Sequence, residues 1–449
     1  MPFHQAKRHY DKIRPLFIIL ALVLAGAVFI IFDDLPYNQR IVFSTMVLAG
    51  TLWITDAIPL FVTSMLIPLV IVLFGVLGPK EALNPFFDPI IVLFLGSLLI
   101  ARGLRKLELD TRCANLLLPR IHSTKLLLFT LIASTAFLSM WMANTAAAAI
   151  MLPIGLAVLR KFKTENYGKA VVLGIAYGTS IGGIGTLVGT PPNALAAGIL
   201  ERATGTGISF LEWLFYGLPI MVILIGVCYF LLILIYKPEK GYVKIASPKK
   251  KPLDRKSKAF ITIFFVTILL WLTEPLHNIP NSIVALGAGI LLFLSGILDE
   301  KDINTLGWSV LILFGGGLVL GEAVTKTGFA ETIVGSIQGI VDGNNFPILL
   351  VSLIVIIVGL GAFVSNTAVA AIIIPLVIPL SQAINIESKL LAITVAIAVS
   401  FDFLLPIGTP PNAMAYNTGY VKIREMVWIG ALLTVLAIAV LWVFVLVVR

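Results

Sequence analysis

The sequence predicts an all-α polytopic membrane protein with eleven transmembrane helices and two re-entrant hairpins, arranged as two five-span repeats of inverted topology. The first observation is composition, since 59% of the 449 residues are hydrophobic, only 12% are charged and the mean hydropathy is +1.03. The second is that apolar segments of bilayer-spanning length recur along the whole chain. The third is the hexapeptide Gly-Thr-Pro-Pro-Asn-Ala, which occurs twice inside apolar segments, at 189–194 and 408–413.

Composition and motif content exclude several classes of protein. A chain this apolar is not a water-soluble domain. The basic residues that give the net charge of +9 lie beside apolar segments. We therefore expect them to set the orientation of the protein in the membrane, and we expect no nucleic-acid partner. Cys113 and Cys228 lack metal-ligand spacing, no two histidines lie four apart, and no metalloprotease, P-loop or nucleophile-elbow motif occurs. We therefore expect no enzyme activity and no cofactor other than a coupling Na⁺.

The apolar segments predict the order of the spans. The first follows a basic stretch and has no small-residue cleavage site, so we expect it to be retained as a span. The predicted spans are 15–32, 41–55, 58–77, 89–101, a broken span at 170–200, 213–236, 259–273, 279–298, 306–324, a second broken span at 390–420, and 427–448. The domain order is an N-terminal segment with the first span (1–40), a first repeat (41–236), a basic cytoplasmic loop (237–258) and a second repeat (259–449).

Two further apolar stretches, 124–158 and 346–380, are predicted to be the re-entrant hairpins. Each has 35 residues, and as one helix each would be about 52 Å long against a hydrocarbon core of about 30 Å. If each stretch enters and leaves on one face, 26 of the 32 Lys and Arg residues lie on the face of the N-terminus. The positive-inside rule then predicts a cytoplasmic N-terminus and an extracytoplasmic C-terminus in the plasma or inner membrane.

The two halves of the chain resemble each other. Residues 52–56 (Leu-Trp-Ile-Thr-Asp) parallel 270–274 (Leu-Trp-Leu-Thr-Glu), and 144–153 parallel 366–375, at offsets between 218 and 222. A near-constant offset indicates a duplication. Because each copy holds five spans, an odd number, the second copy must be inserted upside down, as in secondary transporters.

Polar motifs at predicted membrane depth indicate a ligand site. Two prolines inside a span break its helix, and the freed backbone groups must face protein, water or a ligand. Pro191 and Pro410 suit the first position of new half-helices, and the Ala-rich runs after Thr145 and Thr367 suit the start of returning hairpin arms. Four helix N-termini, each with about half a positive charge, would then meet and favour an anion. Freed carbonyls and Asn oxygens could coordinate Na⁺.

Some polar residues carry a second interpretation. A single Pro-Pro in a span is usually only a kink. The presence of a polar tip and a Pro-Pro break at matching positions in both copies favours a ligand site. Asp402 is an intramembrane acid and by default functional, as a proton or cation site or as the partner of a polar neighbour. Glu322 and Lys326 are expected to form a solvated i,i+4 pair. Three tryptophans begin spans and are expected to anchor the interface: Trp213, Trp308 and Trp428.

The paired hairpin tips, Asn144-Thr145 and Ser365-Asn366-Thr367, with the paired Thr-Pro-Pro-Asn breaks, resemble the divalent anion/sodium symporter family of di- and tricarboxylate transporters. The resemblance covers essentially the whole chain and implies a homodimer whose transport domain moves like an elevator against a scaffold. By position, it implies substrate contacts at Asn144, Thr145, Thr190, Pro191, Ser365, Asn366, Thr367, Thr409 and Pro410. It also implies two Na⁺ sites, one at Ser139, Asn144 and Gly189, the other at Gly361, Val364, Asn366 and Gly408.

Two departures from the family pattern leave the coupling open. Ala143 stands where the pattern has a serine, and Asp402 places a carboxylate where a small neutral residue is expected. The expected function is secondary transport of carboxylates such as succinate, malate, fumarate, 2-oxoglutarate or citrate, by Na⁺ symport or by Na⁺-independent exchange. Dicarboxylates are favoured, because a site built from dipoles holds two charges more easily than three. The alternatives are a passive anion channel, a permease for another divalent anion and a membrane-bound enzyme.

Overall fold

The computed structural model describes residues 2–112, 123–159, 165–237, 252–337 and 346–449, and these ranges are helical without a β-strand. The first half contains α1 (Pro2–Ile31), α2 (Tyr37–Thr55), α3 (Leu60–Leu73), α4 (Pro79–Leu83), α5 (Pro89–Lys106), α6 (Thr124–Ser139), α7 (Asn144–Leu159), α8 (Glu165–Ile184), α9 (Pro191–Thr204) and α10 (Phe210–Tyr236). The second half contains α11 (Arg255–Leu272), α12 (Glu274–His277), α13 (Asn281–Leu294), α14 (Glu300–Asn304), α15 (Trp308–Thr327), α16 (Phe329–Ile337), α17 (Phe346–Gly361), α18 (Asn366–Ala383), α19 (Ser388–Ala398), α20 (Pro410–Asn417) and α21 (Ile423–Val448).

Several helices have the length and apolar character of membrane spans. Six qualify in the described ranges: Arg14–Ile31, Pro79–Lys106, Phe210–Tyr236, Trp308–Thr327, Asn366–Ala383 and Ile423–Val448. Shorter apolar helices of 10–17 residues are α3, α6, α7, α13, α17 and α19. The chain is therefore a multi-pass membrane protein. The count of eleven spans and the re-entrant placement of α6–α7 and α17–α18 stay predictions.

The two halves pack against each other reciprocally. Helix α5 of the first half packs on α13 of the second, and α3 packs on α15. Both contacts require glycine, because a Cβ at Gly96 would lie 2.5 Å from the Ala285 carbonyl oxygen and one at Gly316 would lie 2.5 Å from the Ser64 Cβ. Phe94 and Phe314, which occupy equivalent positions, contact each other with tilted rings whose centroids lie 4.9 Å apart. Contact between equivalent residues is what a local two-fold axis produces.

Ion pairs join segments that were predicted to share a membrane face. On the predicted cytoplasmic face they include Arg102–Asp302 (2.8 Å) and Lys169–Glu425 (2.7 Å), and on the opposite face Arg202–Asp88 (2.7 Å) and Lys389–Glu212 (2.8 Å). The pattern agrees with the predicted grouping of loops. Which face is cytoplasmic stays a prediction.

The expected i,i+4 pair of Glu322 and Lys326 is present, but the expectation that it is solvated is wrong for Glu322, whose side chain is only 17% exposed. The Arg202 guanidinium donates to the Glu322 carboxylate at 2.7 Å, whereas the Lys326 ammonium lies 3.7 Å from it. Arg202 also donates to Asp88 at 2.7 Å. Glu322 therefore links α15 to α9. The sequence pattern missed this because it compares only neighbours on one helix.

Candidate functional site

The first break, between α8 and α9, is held by one buried amide. The Asn193 side-chain nitrogen donates to the carbonyl oxygens of Gly183 at 2.9 Å and Thr186 at 2.8 Å. Asn193 is 0% exposed. Buried backbone acceptors need partners, and here one side chain donates to two carbonyls at the end of α8. The Thr186 carbonyl also accepts from the Gly189 backbone nitrogen at 3.2 Å. We call this arrangement the asparagine clamp.

The second break, between α19 and α20, has the same asparagine clamp. The Asn412 side-chain nitrogen donates to the carbonyl oxygens of Asp402 at 2.8 Å and Leu405 at 3.1 Å. In both copies the acceptors lie ten and seven positions before the amide. This shared spacing makes Asp402 the structural counterpart of Gly183.

The first tip, between α6 and α7, contacts the first break directly. A Cβ at Gly183 would lie 2.9 Å from the Asn144 side-chain oxygen and 3.2 Å from the Thr190 Cβ. The Thr186 hydroxyl donates to the Met140 carbonyl oxygen at 2.6 Å. The tip and the break therefore form one unit in the first copy.

The second tip contacts the second break through a charged group. The Asn366 side-chain nitrogen donates to the Asp402 carboxylate at 2.6 Å. The Oδ1 atoms of Asn366 and Asp402 are buried and have no hydrogen-bond partner. In the first copy the Ser139 hydroxyl donates to Asn144 Oδ1 at 2.8 Å, and Gly361 is the residue at the position equivalent to Ser139.

The two copies interlock at this place. Helix α9 packs on α18 and α19, and α20 packs on α7 and α8 in the reciprocal way. The Tyr177 and Phe403 rings lie 5.4 Å apart, edge to face, and Ser180 faces the Asp402 carboxyl. The two tips and the two breaks therefore belong to one continuous set of contacts.

The residues predicted to bind substrate lie at the starts of four helices: α7, α9, α18 and α20. Pro191 and Pro410 occupy the first turns of α9 and α20, and Thr409 Oγ1 accepts a hydrogen bond from the Asn412 backbone nitrogen at 3.4 Å. Among the described residues, no protein partner is bonded by the hydroxyls of Thr145, Thr190, Ser365 and Thr367. These hydroxyls are free to bind a ligand.

The residues predicted to bind Na⁺ fall in two different environments. In the first copy Asn144 Oδ1 is already satisfied by Ser139, and Gly189 is pressed against the Gly183 carbonyl. In the second copy Val364 and Gly361 are buried, and a Cβ at Gly408 would lie 3.4 Å from the Leu405 carbonyl oxygen. Unpaired side-chain oxygens fit a hard cation such as Na⁺. The described residues contain no cluster of His, Cys, Asp and Glu that suits another metal.

Sequence reasoning missed three contributors to this region. Gly183 and Thr186 supply clamp acceptors, and Trp213 is 0% exposed and donates to the Ile184 carbonyl oxygen at 2.9 Å. The prediction that Trp213 anchors the interface is therefore wrong, because its indole binds the end of α8. The repeat offset was a usable signal, since the 219 positions that separate Pro191 from Pro410 also separate Gly183 from Asp402.

Comparisons with known proteins agree on transport. A family model described as a citrate transporter (CitMHS) matches residues 51–398 and 268–448. An uncharacterised transporter of Methanocaldococcus jannaschii is 37% identical over 434 residues, 95% of this chain and 97% of that protein. An uncharacterised transporter of Haemophilus influenzae is 36% identical, over 92% of this chain and 93% of that protein. The sodium-dependent dicarboxylate transporter SdcS of Staphylococcus saprophyticus is 32% identical over 465 residues, 95% of this chain and 88% of that protein.

The fold is also similar to a solved structure. The crystal structure of the Alcanivorax borkumensis YdaH transporter matches with a TM-score of 0.55 and 14% identity, over 97% of this chain and 98% of that one. The family match and the relatives above 30% identity cover most of the chain, and the predicted absence of enzyme activity agrees with them. The chain therefore belongs to the citrate transporter family, and its predicted membership of the divalent anion/sodium symporter family is confirmed.

Proposed function

We propose that this protein is a secondary active transporter that carries C4 dicarboxylates such as succinate, malate and fumarate across the cell membrane, with Na⁺ as the coupling ion. The observation that carries the proposal is the joining of both tips and both breaks in one set of contacts, with unpaired hydroxyls at the helix starts. The similarity to the sodium-dependent dicarboxylate transporter SdcS supports the substrate class and the ion.

The chemistry of these groups suits a divalent anion. The N-termini of α7, α9, α18 and α20 each carry about half a positive charge, and the free hydroxyls of Thr145, Ser365 and Thr367 can donate to carboxylates. In the described ranges no Lys or Arg forms an ion pair or hydrogen bond with a tip or break residue. Bound Na⁺ would offset the substrate charge that the dipoles leave uncompensated. Two carboxylates are easier to hold this way than three.

The transport movement is proposed to be an elevator within a homodimer. The clamps and the reciprocal packing tie α6–α9 and α17–α20 together. We propose that this group moves as one body against α2–α5 and α11–α15. The N-terminus would be cytoplasmic and the C-terminus extracytoplasmic, as the distribution of basic residues predicts.

Uptake of radiolabelled succinate into proteoliposomes tests the function. Accumulation driven by an imposed Na⁺ gradient, without internal substrate, is expected for symport. Uptake that needs internal dicarboxylate and ignores Na⁺ would replace symport by exchange. A passive channel predicts no uphill accumulation under either condition.

Two variants test the site in the same assay. Thr409→Ala and Asn366→Ala should each abolish uptake while the protein still folds, because each removes a polar group at a helix start. Thr130→Ala is the matched control, since the Thr130 hydroxyl donates only to the Leu126 carbonyl of its own helix. Full uptake by Thr409→Ala and Asn366→Ala would show that the site lies elsewhere.

A further inference from the structure

We infer that Asp402 is the charged ligand of a Na⁺ site formed with Asn366 at the second tip, and that the first copy has no equivalent charged ligand. The inference rests on the proposed function for its ion. It adds a residue to that function, because the positions implied by the family resemblance leave Asp402 out.

The first step is the pairing of the two side chains. The Asn366 nitrogen donates to Asp402 Oδ2 at 2.6 Å, which fixes both groups. Each side chain then has one remaining oxygen, Asn366 Oδ1 and Asp402 Oδ1, and both are buried without a hydrogen bond, as is the Ser180 hydroxyl that lies beside the Asp402 carboxyl. Asp402 is only 2% exposed. A buried carboxylate oxygen without a partner is unfavourable, and a bound cation removes that cost.

The second step is the supply of further oxygens. A Cβ at Gly361 would lie 3.6 Å from Asn366 Oδ1, so no side chain covers that oxygen from α17. A Cβ at Gly408 would lie 3.7 Å from the carbonyl oxygens of both Ala362 and Asp402. The two glycines therefore leave three oxygens without a covering side chain: Asn366 Oδ1 beside Gly361, and the carbonyl oxygens of Ala362 and Asp402 beside Gly408. Na⁺ is a hard cation that prefers oxygen ligands.

The third step is the contrast with the first copy. There Gly183 stands where the second copy has Asp402, and Ser139 stands where the second copy has Gly361. The Ser139 hydroxyl already donates to the Asn144 oxygen at 2.8 Å. The first copy therefore satisfies its tip amide internally, whereas the second copy leaves two oxygens and one negative charge for a cation. The two ion sites should differ in affinity, with the second the tighter one.

The surroundings of Asp402 offer no competing cation. The polar groups beside its carboxyl are the Asn366 amide from the tip and the Ser180 hydroxyl from α8. Phe401 and Phe403, which flank Asp402 in the sequence, stack on each other with ring centroids 6.2 Å apart. Their side chains are 1% and 0% exposed. In the described ranges no Lys or Arg forms an ion pair with Asp402. A small ion is therefore the partner that completes the charge balance.

The test is the thermal unfolding of the purified full-length protein in detergent, without substrate. NaCl is titrated while choline chloride keeps the ionic strength constant. Wild-type protein should gain thermal stability with Na⁺ and not with choline. Asp402→Asn, which keeps the shape and the hydrogen-bond acceptor, should raise the half-maximal Na⁺ concentration at least about tenfold, because the attraction of a full charge is lost.

Controls make the result decisive. Glu387→Gln removes an exposed carboxylate at the start of α19 and should leave the Na⁺ midpoint unchanged. If Asp402→Asn does not fold, Asp402→Gly, which copies the residue of the first repeat, is titrated in its place. An unchanged midpoint in either variant, or a wild-type protein that does not respond to Na⁺, overturns the inference.

Succinate uptake by the same preparations separates this inference from the proposed function. Succinate uptake by the wild type, with an unchanged Na⁺ midpoint in Asp402→Asn, would refute only the role of Asp402. A shifted midpoint with no succinate uptake by the wild type would support the ion site and refute the substrate class.

Discussion

Replacing the clamp asparagines should loosen both breaks by a predictable amount. In Asn193→Ala the carbonyls of Gly183 and Thr186 lose their side-chain donor, and in Asn412→Ala those of Asp402 and Leu405 do. Each hydrogen bond contributes about 0.5–1.5 kcal/mol net, so each variant should lose about 1–3 kcal/mol. Both asparagines are 0% exposed. The carbonyls of Thr186 and Leu405 keep backbone donors from Gly189 and Gly408, so the loss should come mainly from the carbonyls of Gly183 and Asp402.

The effect on transport should exceed the effect on folding. Each clamp fixes the loop that leads into a half-helix and its threonine, Thr190 or Thr409. Small displacements of binding groups lower the rate strongly, so succinate uptake should fall at least about tenfold. Thermal unfolding in detergent gives the stability, and proteoliposome uptake gives the activity, from one preparation.

An isosteric change distinguishes the lost donor from the lost volume. Asn193→Asp keeps the size but can only accept, so its carboxylate would face the two carbonyl oxygens, and it should be less stable than Asn193→Ala. Asn417→Ala, at the exposed end of α20, is the control and should behave like wild type. If Asn193→Ala unfolds at the wild-type temperature, or Asn193→Asp is the more stable variant, the clamp argument is refuted.

Two further predictions concern other positions. Ala143→Ser places a hydroxyl at the first tip and should lower the Na⁺ concentration needed for half-maximal uptake; an unchanged value would show that this position does not limit coupling. Burial of Asp302 opposes its ionisation, but hydrogen bonds from Lys106, the Asp299 backbone and Arg102 outweigh burial and lower the pKa from 3.8 to about 2. Because the folded pKa is depressed, the resulting stability of about 2 kcal/mol is present above about pH 4 and lost as the pH falls to about 2. Asp302→Asn should therefore lower the unfolding temperature at neutral pH and remove part of the acid loss, whereas the exposed Glu300→Gln should do neither.

Local chemistry explains what could be predicted from sequence. Helices α9 and α20 begin at Pro191 and Pro410, because proline suits the first turn of a helix whatever surrounds it. The all-helical membrane class followed from composition, which needs no tertiary information. The tips were indicated by polar residues within apolar stretches too long for one span.

Contacts across the chain explain what could not be predicted. Sequence position alone predicts that Trp213 lies at the membrane interface, but in the structure its indole donates to the end of α8. Likewise, sequence neighbours alone predict a solvated Glu322, but in the structure Arg202 of α9 donates to its carboxylate. Each clamp depends on a side chain that reaches back seven and ten residues across the break, and local sequence patterns do not specify such a contact. The repeat offset of 219 residues could have paired Asp402 with Gly183, but only the structure shows that the Asn366 amide donates to the Asp402 carboxylate.

The reciprocal docking of α9 and α20 has a consequence for how such a protein arose. Helix α9 packs on α18 and α19 of the second copy, and α20 packs on α7 and α8 of the first, so neither copy alone surrounds its own α9 or α20. A single-copy ancestor would have completed this packing only by pairing with a second molecule. Fusion of the two genes would have made that partnership permanent and then allowed one partner, here the one with Asp402, to diverge.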